Sequence, residues 1–140
     1  MRIVCDTNCL ISGLLWSGPP STILEAVEDG KHHLFISREM LTEFANVLAR
    51  AKFAAILRRA SLEPEELVRW LLGNATTIFS RPLSEPVVLD DPADDMIIAC
   101  AVSAGAEAII SGDRHLLKVG RYRDIPILPA AVLAERYGGP

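Results

Sequence analysis

The sequence predicts an α/β fold in which a mainly parallel central sheet of about five strands carries helices on both faces. Short apolar segments alternate along the chain with longer segments whose apolar residues recur at helical spacing. Half of the 140 residues are hydrophobic, which is enough for one domain with a sizeable core, and no low-complexity tract interrupts the chain. Because parallel strands need helical crossovers, this alternation is typical of a parallel sheet.

Five short segments of aliphatic or β-branched residues predict the strands. The first, Arg2–Cys5, has no polar alternation and is therefore predicted to be buried on both faces. Pro126 lacks a backbone N–H, so the last strand is expected at an edge of the sheet. The other predicted strands cover residues 33–36, 76–79, 108–111 and 125–128.

Helix-start and helix-stop signals bracket the segments between these strands. Ser37 is a good N-cap for a helix that carries Met40 and Phe44 on its apolar stripe. Asp91 suits the cap of a later helix, with Pro92 at its first position and Gly105 as its stop. The remaining predicted helices cover residues 10–14, 21–29, 52–60, 64–71, 114–119 and 130–137.

Composition and charge exclude several classes of protein. The net charge of −4 argues against a polycation that coats nucleic acid, but not against a nucleic-acid enzyme whose own carboxylates supply the charge. Cys5, Cys9 and Cys100 lie in apolar segments without metal-ligand spacing, which indicates reduced thiols. The most apolar stretch, residues 96–110, is too short to span a bilayer, and the N-terminus has no signal-peptide pattern. We therefore expect a soluble, cytoplasmic protein.

Four acidic residues lie where an α/β fold brings side chains to the carboxyl edge of its sheet. Asp6 directly follows the first strand, Asp113 follows the fourth, and Glu43 borders the apolar face of its helix. Asp94 belongs to a group of four aspartates within residues 90–95, which is more than helix capping requires. Carboxylates that meet at strand ends repel one another unless a cation lies between them. The pattern therefore indicates a divalent metal site and phosphate chemistry.

The order of these motifs resembles the PIN domain, the nuclease fold of VapC-type toxins in toxin–antitoxin pairs and of other RNA-processing proteins. The resemblance covers nearly the whole chain. It rests on the order and spacing of Ile3–Asn8, Ser37–Glu43 with the downstream Val47–Arg50, Asp91–Asp95 and Ile110–Asp113. The tail, which consists of Asp113–Leu117 and then Ile125–Pro129, is similar to a bacterial and archaeal subgroup of toxin components.

The resemblance implies a single PIN-like nuclease domain over residues 1–140 that acts as a metal-dependent endoribonuclease. The acids that match the family's catalytic and metal-binding quartet are Asp6, Glu43, Asp94 and Asp113. Asp95 is the alternative to Asp94, while Asn8 and Ser111 match supporting polar positions. Hard oxygen ligands suit Mg²⁺ or Mn²⁺, which would activate water for attack on phosphorus and neutralise charge on the phosphate.

The resemblance also implies RNA as the substrate, with an antitoxin protein or a second copy of the chain as candidate partners. Basic residues after Asp113 could hold RNA phosphates or form an ordinary solvated face, and they are Arg114, Lys118, Arg121 and Arg123. An apolar helical surface could receive a partner or belong to the core, and it consists of Phe53, Ile56, Leu57, Leu67 and Trp70.

Two other functions remain open at this point. One is a catalytically silent PIN module that binds RNA or protein, which an intact set of four acids argues against. The other is a metal-dependent phosphatase, which would want a second acid two residues after a nucleophilic aspartate. Asn8 occupies that position, two residues after Asp6, and counts against a phosphatase.

Overall fold

A six-stranded sheet forms the centre of the computed structural model, which describes residues 1–137. The strands are β1 (Arg2–Cys5), β2 (His33–Ser37), β3 (Ala75–Ile78), β4 (Ala108–Ile110), β5 (Arg121–Tyr122) and β6 (Ile125–Leu128). They lie in the order β3-β2-β1-β4-β6-β5, and each neighbouring pair is parallel except β5 with β6. The prediction of a mainly parallel α/β sheet is confirmed.

Helices flank this sheet and connect its parallel strands. Within the described residues they are α1 (Thr7–Leu15), α2 (Pro19–Glu28), α3 (Arg38–Leu48), α4 (Ala51–Arg59), α5 (Pro64–Asn74), α6 (Asp95–Ala104), α7 (Arg114–Val119) and α8 (Ala130–Tyr137). The predicted helix signals act as expected at both ends. The Ser37 hydroxyl accepts a hydrogen bond from the Met40 N–H at 3.2 Å, which caps α3. Gly105 ends α6 with a φ of 63°, a left-handed conformation that glycine adopts without strain.

Four local predictions were wrong or incomplete. The helix expected to begin at Pro92 starts instead with a short 3₁₀ turn, Pro92–Asp94, and the Asp91 side chain makes no capping hydrogen bond. The helix predicted over residues 21–29 begins two residues earlier, at Pro19, because proline is well tolerated in a first helical turn. The two-residue strand β5 was not predicted, since a segment this short carries no periodic signal. The strand with Pro126 was expected at an edge of the sheet. Because β5 pairs with it and forms the edge, β6 is instead the second strand from that edge.

The two central strands are buried on both faces, as their continuous apolar sequences predict. Ile3, Val4, Ile109 and Ile110 are 0% exposed. The core extends from these strands into the helices, so part of the predicted partner surface is unavailable to a partner. Leu57 and Leu67 are among its buried residues.

The pairing of β1 with β4 places the site. The chain proceeds from β1 to β2 and β3 on one side of the sheet, whereas β4, β6 and β5 lie on the other. A crevice forms where strand order reverses in this way, beyond the carboxyl ends of the strands. Cys5 lies beside Ile110 in the ladder, and the N–H of Asp6 donates to the Ile110 carbonyl at 3.0 Å.

No helix in the described part of the chain is long and apolar enough to cross a membrane.

Candidate metal centre

Asp6 lies at the bottom of this crevice, immediately beyond the end of β1. It caps α1, because its Oδ1 accepts a hydrogen bond from the Cys9 N–H at 2.8 Å. Its Oδ2 accepts hydrogen bonds from the Ser111 hydroxyl and, at 3.3 Å, from the Gly112 N–H. The side chain is only 4% exposed. Both carboxylate oxygens are therefore fixed in place by donors from α1 and from the end of β4.

Three further aspartates lie close to one another and line the same cavity as Asp6. One carboxylate oxygen from each of Asp91, Asp94 and Asp113 lies within 4.8 Å of the others, a spacing that a single cation could bridge. Asp113 is held as the N-cap of α7, where its Oδ1 accepts from the His115 N–H at 2.7 Å. The Ser111 hydroxyl accepts from the Asp113 N–H at 2.9 Å, so the same serine contacts Asp6 and positions Asp113.

Glu43 completes the cluster from α3, where helical spacing keeps it near the buried face of the helix. It lines a cavity of about 160 Å³ together with the four aspartates. The other residues around this cavity are Thr7, Asn8, Val47, Arg50, Ala93 and Ile97. The β1–α1 junction, α3, the β4–α7 junction and the 3₁₀ turn with its preceding residue thus bring five carboxylates into one small space.

The crowding of carboxylates changes their protonation. Burial, then the neighbouring Asp113 and Asp91 carboxylates, raise the pKa of Asp94 to about 7. Burial also raises the pKa of Asp6, although its hydrogen bonds from Ser111 and Cys9 act in the opposite direction. The pKa of Glu43 is raised by burial first and by the charge of Asp6 second. Without a cation, the cluster therefore holds protons more tightly than separate carboxylates would.

Two carboxylate oxygens provide a direct test of whether a metal fits. Glu43 Oε2 and Asp94 Oδ2 are buried and have no hydrogen-bond partner in the structure. A buried acceptor without a donor is costly, and such atoms are uncommon in folded proteins. A divalent cation of the hard, oxygen-preferring class would satisfy both the unpaired oxygens and the mutual repulsion of the acids. The residues present therefore fit Mg²⁺ or Mn²⁺.

The structure brings together the four predicted acids and places Asp95 apart from them. Asp95 accepts from the backbone N–H groups of Val87 and Val88, the latter at 2.8 Å, and holds the preceding loop against α6. Asp94 has the unpaired oxygen and lines the acid cavity, so its position favours it over Asp95 as a ligand. Of the two predicted supporting residues, Asn8 lines the cavity and Ser111 lies beneath it.

The four predicted RNA-binding residues do not lie together. Arg114 begins α7, directly after Asp113, and Lys118 lies one turn later beside a cavity that Asp90 and His115 also line. Arg121 and Arg123 lie on and after β5, and none of the four basic residues lines the acid cavity. The Arg123 guanidinium lies over the Tyr122 ring, and its side chain borders a different cavity beside Val102 and Ser103 in α6.

Sequence reasoning missed two charged residues that line the acid cavity, Asp91 and Arg50. Asp91 was interpreted as a helix cap, because Asp before Pro is a common start signal. The density of acids in residues 90–95 was the signal that could have identified it. Arg50 lies in the Val47–Arg50 segment downstream of Glu43, but its sequence position alone gives it no role in the site. The tertiary structure shows that it lines the same cavity as Glu43.

Comparisons with known proteins agree with this architecture. The chain is similar to PAE2754 from Pyrobaculum aerophilum, with a TM-score of 0.56 and 19% identity over 98% of each chain. It is also similar to FitAcB from Neisseria gonorrhoeae, with a TM-score of 0.51 and 18% identity over 92% of this chain and 98% of that one. At these identities the likeness shows a shared fold alone. A search of curated proteins gave no match. The family model described as PIN domain matches residues 2–115, a range that includes every acid of the cluster, and the chain therefore belongs to the PIN domain family.

Proposed function

We propose that this protein is an Mg²⁺- or Mn²⁺-dependent endoribonuclease that hydrolyses RNA phosphodiester bonds. The observation that carries the proposal is the pair of buried, unpaired oxygens on Glu43 and Asp94 within a cluster of five carboxylates. Carboxylates crowded in this way repel one another unless a cation or a proton neutralises part of their charge. Its position at the reversal of strand order is also where ligands bind in open α/β sheets. Membership of the PIN domain family supports nuclease chemistry at this site.

Each acid has a distinct part in this proposal. Asp94 and Asp113 would hold the ion together with Asp91, since one oxygen from each of these three lies within 4.8 Å of the others. Asp6 lines the same cavity and would share that role. When bound, the ion would supply Lewis-acid stabilisation of the phosphate charge and lower the pKa of water near the substrate. Glu43 lies in the same cavity with one unpaired oxygen, so it can orient a water or accept its proton. Ser111 keeps Asp6 and Asp113 in register through its hydroxyl.

The biological setting is proposed from the resemblance to VapC-type proteins. On that basis the chain is the toxin of a type II toxin–antitoxin pair, acts on RNA in the cytoplasm and is inhibited by an antitoxin protein. A homodimer is the other partner state that we propose. A catalytically silent PIN module would not need the intact set of five acids. A phosphatase would need an acid where Asn8 stands.

Cleavage of single-stranded RNA by the purified protein is expected to require Mg²⁺ or Mn²⁺. The expected result is cleavage that stops in chelator and returns when the ion is restored, because the acids cannot remain ionised together without it. The measurement is gel analysis of an end-labelled RNA, with a matched phosphomonoester substrate as a second arm. Undiminished RNA cleavage in chelator would exclude the metal mechanism, and preferential hydrolysis of the phosphomonoester would favour a phosphatase.

Basic residues after Asp113 are proposed to hold the RNA backbone, and their separation in the structure allows two variants to be compared. Replacing Arg121 and Arg123 with Ala should lower the slope of log affinity against log salt by roughly 1.4 if each contacts a phosphate of a single strand. The same decrease is expected for the Arg114→Ala and Lys118→Ala pair, which lies nearer to Asp113.

The measurement for both pairs is a salt titration of RNA binding in Ca²⁺, which is chosen to occupy the site with little turnover. An unchanged slope in one pair alone would assign that pair to an ordinary solvated face. Because a lysine or arginine offers no acceptor oxygen to a metal, Mn²⁺ affinity should be the same in both double variants and in the wild type.

A further inference from the structure

Among the described residues that line the acid cavity, Arg50 is the one with a cationic side chain. Its charge acts on Glu43, whose pKa it lowers in opposition to burial and to Asp6. Yet the two side chains do not form a close pair. Glu43 Oε2 has no hydrogen-bond partner, and the ion pair found within 4.0 Å in residues 1–137 joins His115 to Asp90 instead. The charge of Arg50 therefore acts on the acids, but its guanidinium forms no close ion pair with Glu43.

The backbone of Arg50 is fixed, whereas its guanidinium is not engaged. Its N–H donates to the Val47 carbonyl at 3.1 Å, and its carbonyl accepts from the N–H groups of Phe53 and Ala54, both at 3.0 Å. These bonds anchor the residue at the junction of α3 and α4. Its side chain is exposed and makes no capping hydrogen bond to α4. A backbone held by hydrogen bonds together with an exposed guanidinium is the arrangement expected of a ligand-binding arginine.

The chemistry of the cavity indicates what such an arginine would bind. A guanidinium has five N–H donors and no acceptor, so it cannot ligate a metal. Its planar fork matches two oxygens of a phosphate. Once a divalent ion neutralises part of the acid charge, a phosphodiester that approaches the cluster still meets the remaining carboxylates. A cation on the rim would offset that repulsion and orient the phosphate.

We propose that Arg50 binds the two nonbridging oxygens of an RNA backbone phosphate at the mouth of the acid cavity, on the side of Glu43. This inference rests on the proposed ribonuclease function, because it names the residue that receives the substrate phosphate of that reaction. It assigns to Arg50 substrate binding at the cavity itself, whereas Arg114 and Lys118 would act farther along the strand.

The test measures equilibrium binding of a fluorescently labelled, 12-nucleotide mixed-sequence RNA in Ca²⁺ by anisotropy, for wild type, Arg50→Ala, Arg50→Lys and Arg59→Ala. Arg59 is the matched control, because it is exposed in the last turn of the same helix. Arg50→Ala should bind about 10-fold more weakly at low salt, as expected for a charge-assisted hydrogen bond at an exposed site. Its salt slope should fall by about 0.7, the value for one single-strand phosphate.

Two further readouts separate substrate binding from a purely electrostatic role beside Glu43. Arg50→Lys should recover the salt slope but not the full affinity, because an ammonium is a point charge without the bidentate fork. Mn²⁺ binding to the RNA-free protein should not weaken in Arg50→Ala, since the variant removes positive charge from beside the ligands. Arg59→Ala should match wild type in both RNA binding and Mn²⁺ binding.

The outcomes distinguish this inference from the function on which it rests. If wild type binds and cleaves RNA while Arg50→Ala binds with unchanged affinity and slope, the assignment of Arg50 is overturned and the ribonuclease proposal stands. If wild type neither binds nor cleaves RNA in any divalent ion, both are overturned. Equal losses in Arg50→Ala and Arg59→Ala would also overturn the assignment, because they would reflect net charge.

Discussion

Replacing Asp6 with Asn is expected to reduce metal-dependent RNA cleavage by at least about 100-fold, because loss of even an outer partner of a metal ligand typically costs 10- to 100-fold. The amide keeps the shape of the carboxylate but loses the charge that holds the ion. Both carboxylate oxygens of Asp6 are held by hydrogen bonds, so its charge is fixed at one position in the cavity. The measurement is the initial rate of RNA cleavage at saturating Mn²⁺.

The same substitution should leave the fold intact. The amide oxygen of an asparagine can still accept from the Cys9 N–H, and its NH₂ group can donate to the Ser111 hydroxyl. The weaker bond from the Gly112 N–H, at 3.3 Å, would be lost. This loss is offset because one negative charge leaves a crowded cluster. The metal-free variant should therefore melt within a few degrees of wild type, whereas the stabilisation of wild type by Mn²⁺ should be absent.

A matched control separates loss of the site from loss of negative charge. Asp124 is an exposed acid in the turn between β5 and β6, away from the cavity, so Asp124→Asn should cleave RNA at the wild-type rate. Asp94→Asn and Asp95→Asn form a second pair of adjacent residues. Loss of activity is expected in the former alone. Full activity in Asp6→Asn would contradict the metal site, and loss of activity only in Asp95→Asn would move the third ligand to that residue.

Most of the site was predictable because it follows from topology. Strand-end residues of neighbouring parallel strands must meet, so Asp6 and Asp113 could be paired from the sequence once β1 and β4 were taken as neighbours. Glu43 was identified by helical periodicity, which shows the face of a helix but not its partner. These inferences rest on the apolar strand segments and on the helical periodicity of apolar residues. Several residues contribute to each of these patterns, so each can be identified from the sequence.

The remaining features depend on tertiary geometry that no local pattern encodes. Asp91 and Asp95 are both near a helix start, yet one enters the cavity and the other binds the loop at Val87 and Val88. A 3₁₀ turn, Pro92–Asp94, separates the two residues, and its presence had no sequence signal. Arg123 illustrates the same limit, because nearness in sequence to Asp113 did not place it beside the acid cavity.

The stability of the metal-free protein is expected to increase as the pH falls from about 8 to about 5. The pKa of Asp94 is raised to about 7 in the folded state, chiefly by burial and by Asp113, whereas an unfolded Asp titrates near 3.9. Between these values the native state binds more protons than the unfolded state, so the free energy of unfolding falls as the pH rises. Between about pH 8 and about pH 5 the upper limit of this change is about 3 kcal/mol, from 1.36 kcal/mol per pKa unit over the roughly two pH units below 7. Melting temperatures should shift by several degrees.

The titration of His32 changes the free energy of unfolding in the opposite direction, so the experiment must separate it from the titration of the acid cluster. Burial lowers the pKa of His32, which means that the unfolded state takes up its proton first and stability is lost as the pH falls below about 6.5. The Asp94→Asn variant retains this contribution and lacks that of Asp94. The difference between the wild-type and variant melting curves at each pH therefore reports the acid cluster alone.

Saturating Mg²⁺ should flatten that difference, because the ion binds the ionised carboxylates and takes the place of the proton. Raising the pH through about 7 should accordingly strengthen Mg²⁺ binding to wild type more than to Asp94→Asn. The measurements are thermal melts and calorimetric Mg²⁺ titrations in buffers of different ionisation enthalpy, which report the protons released on binding. If the wild-type profiles with Mg²⁺ and with chelator coincide at every pH, the cluster does not bind the ion, and neither proton release nor metal-dependent cleavage can be attributed to these acids.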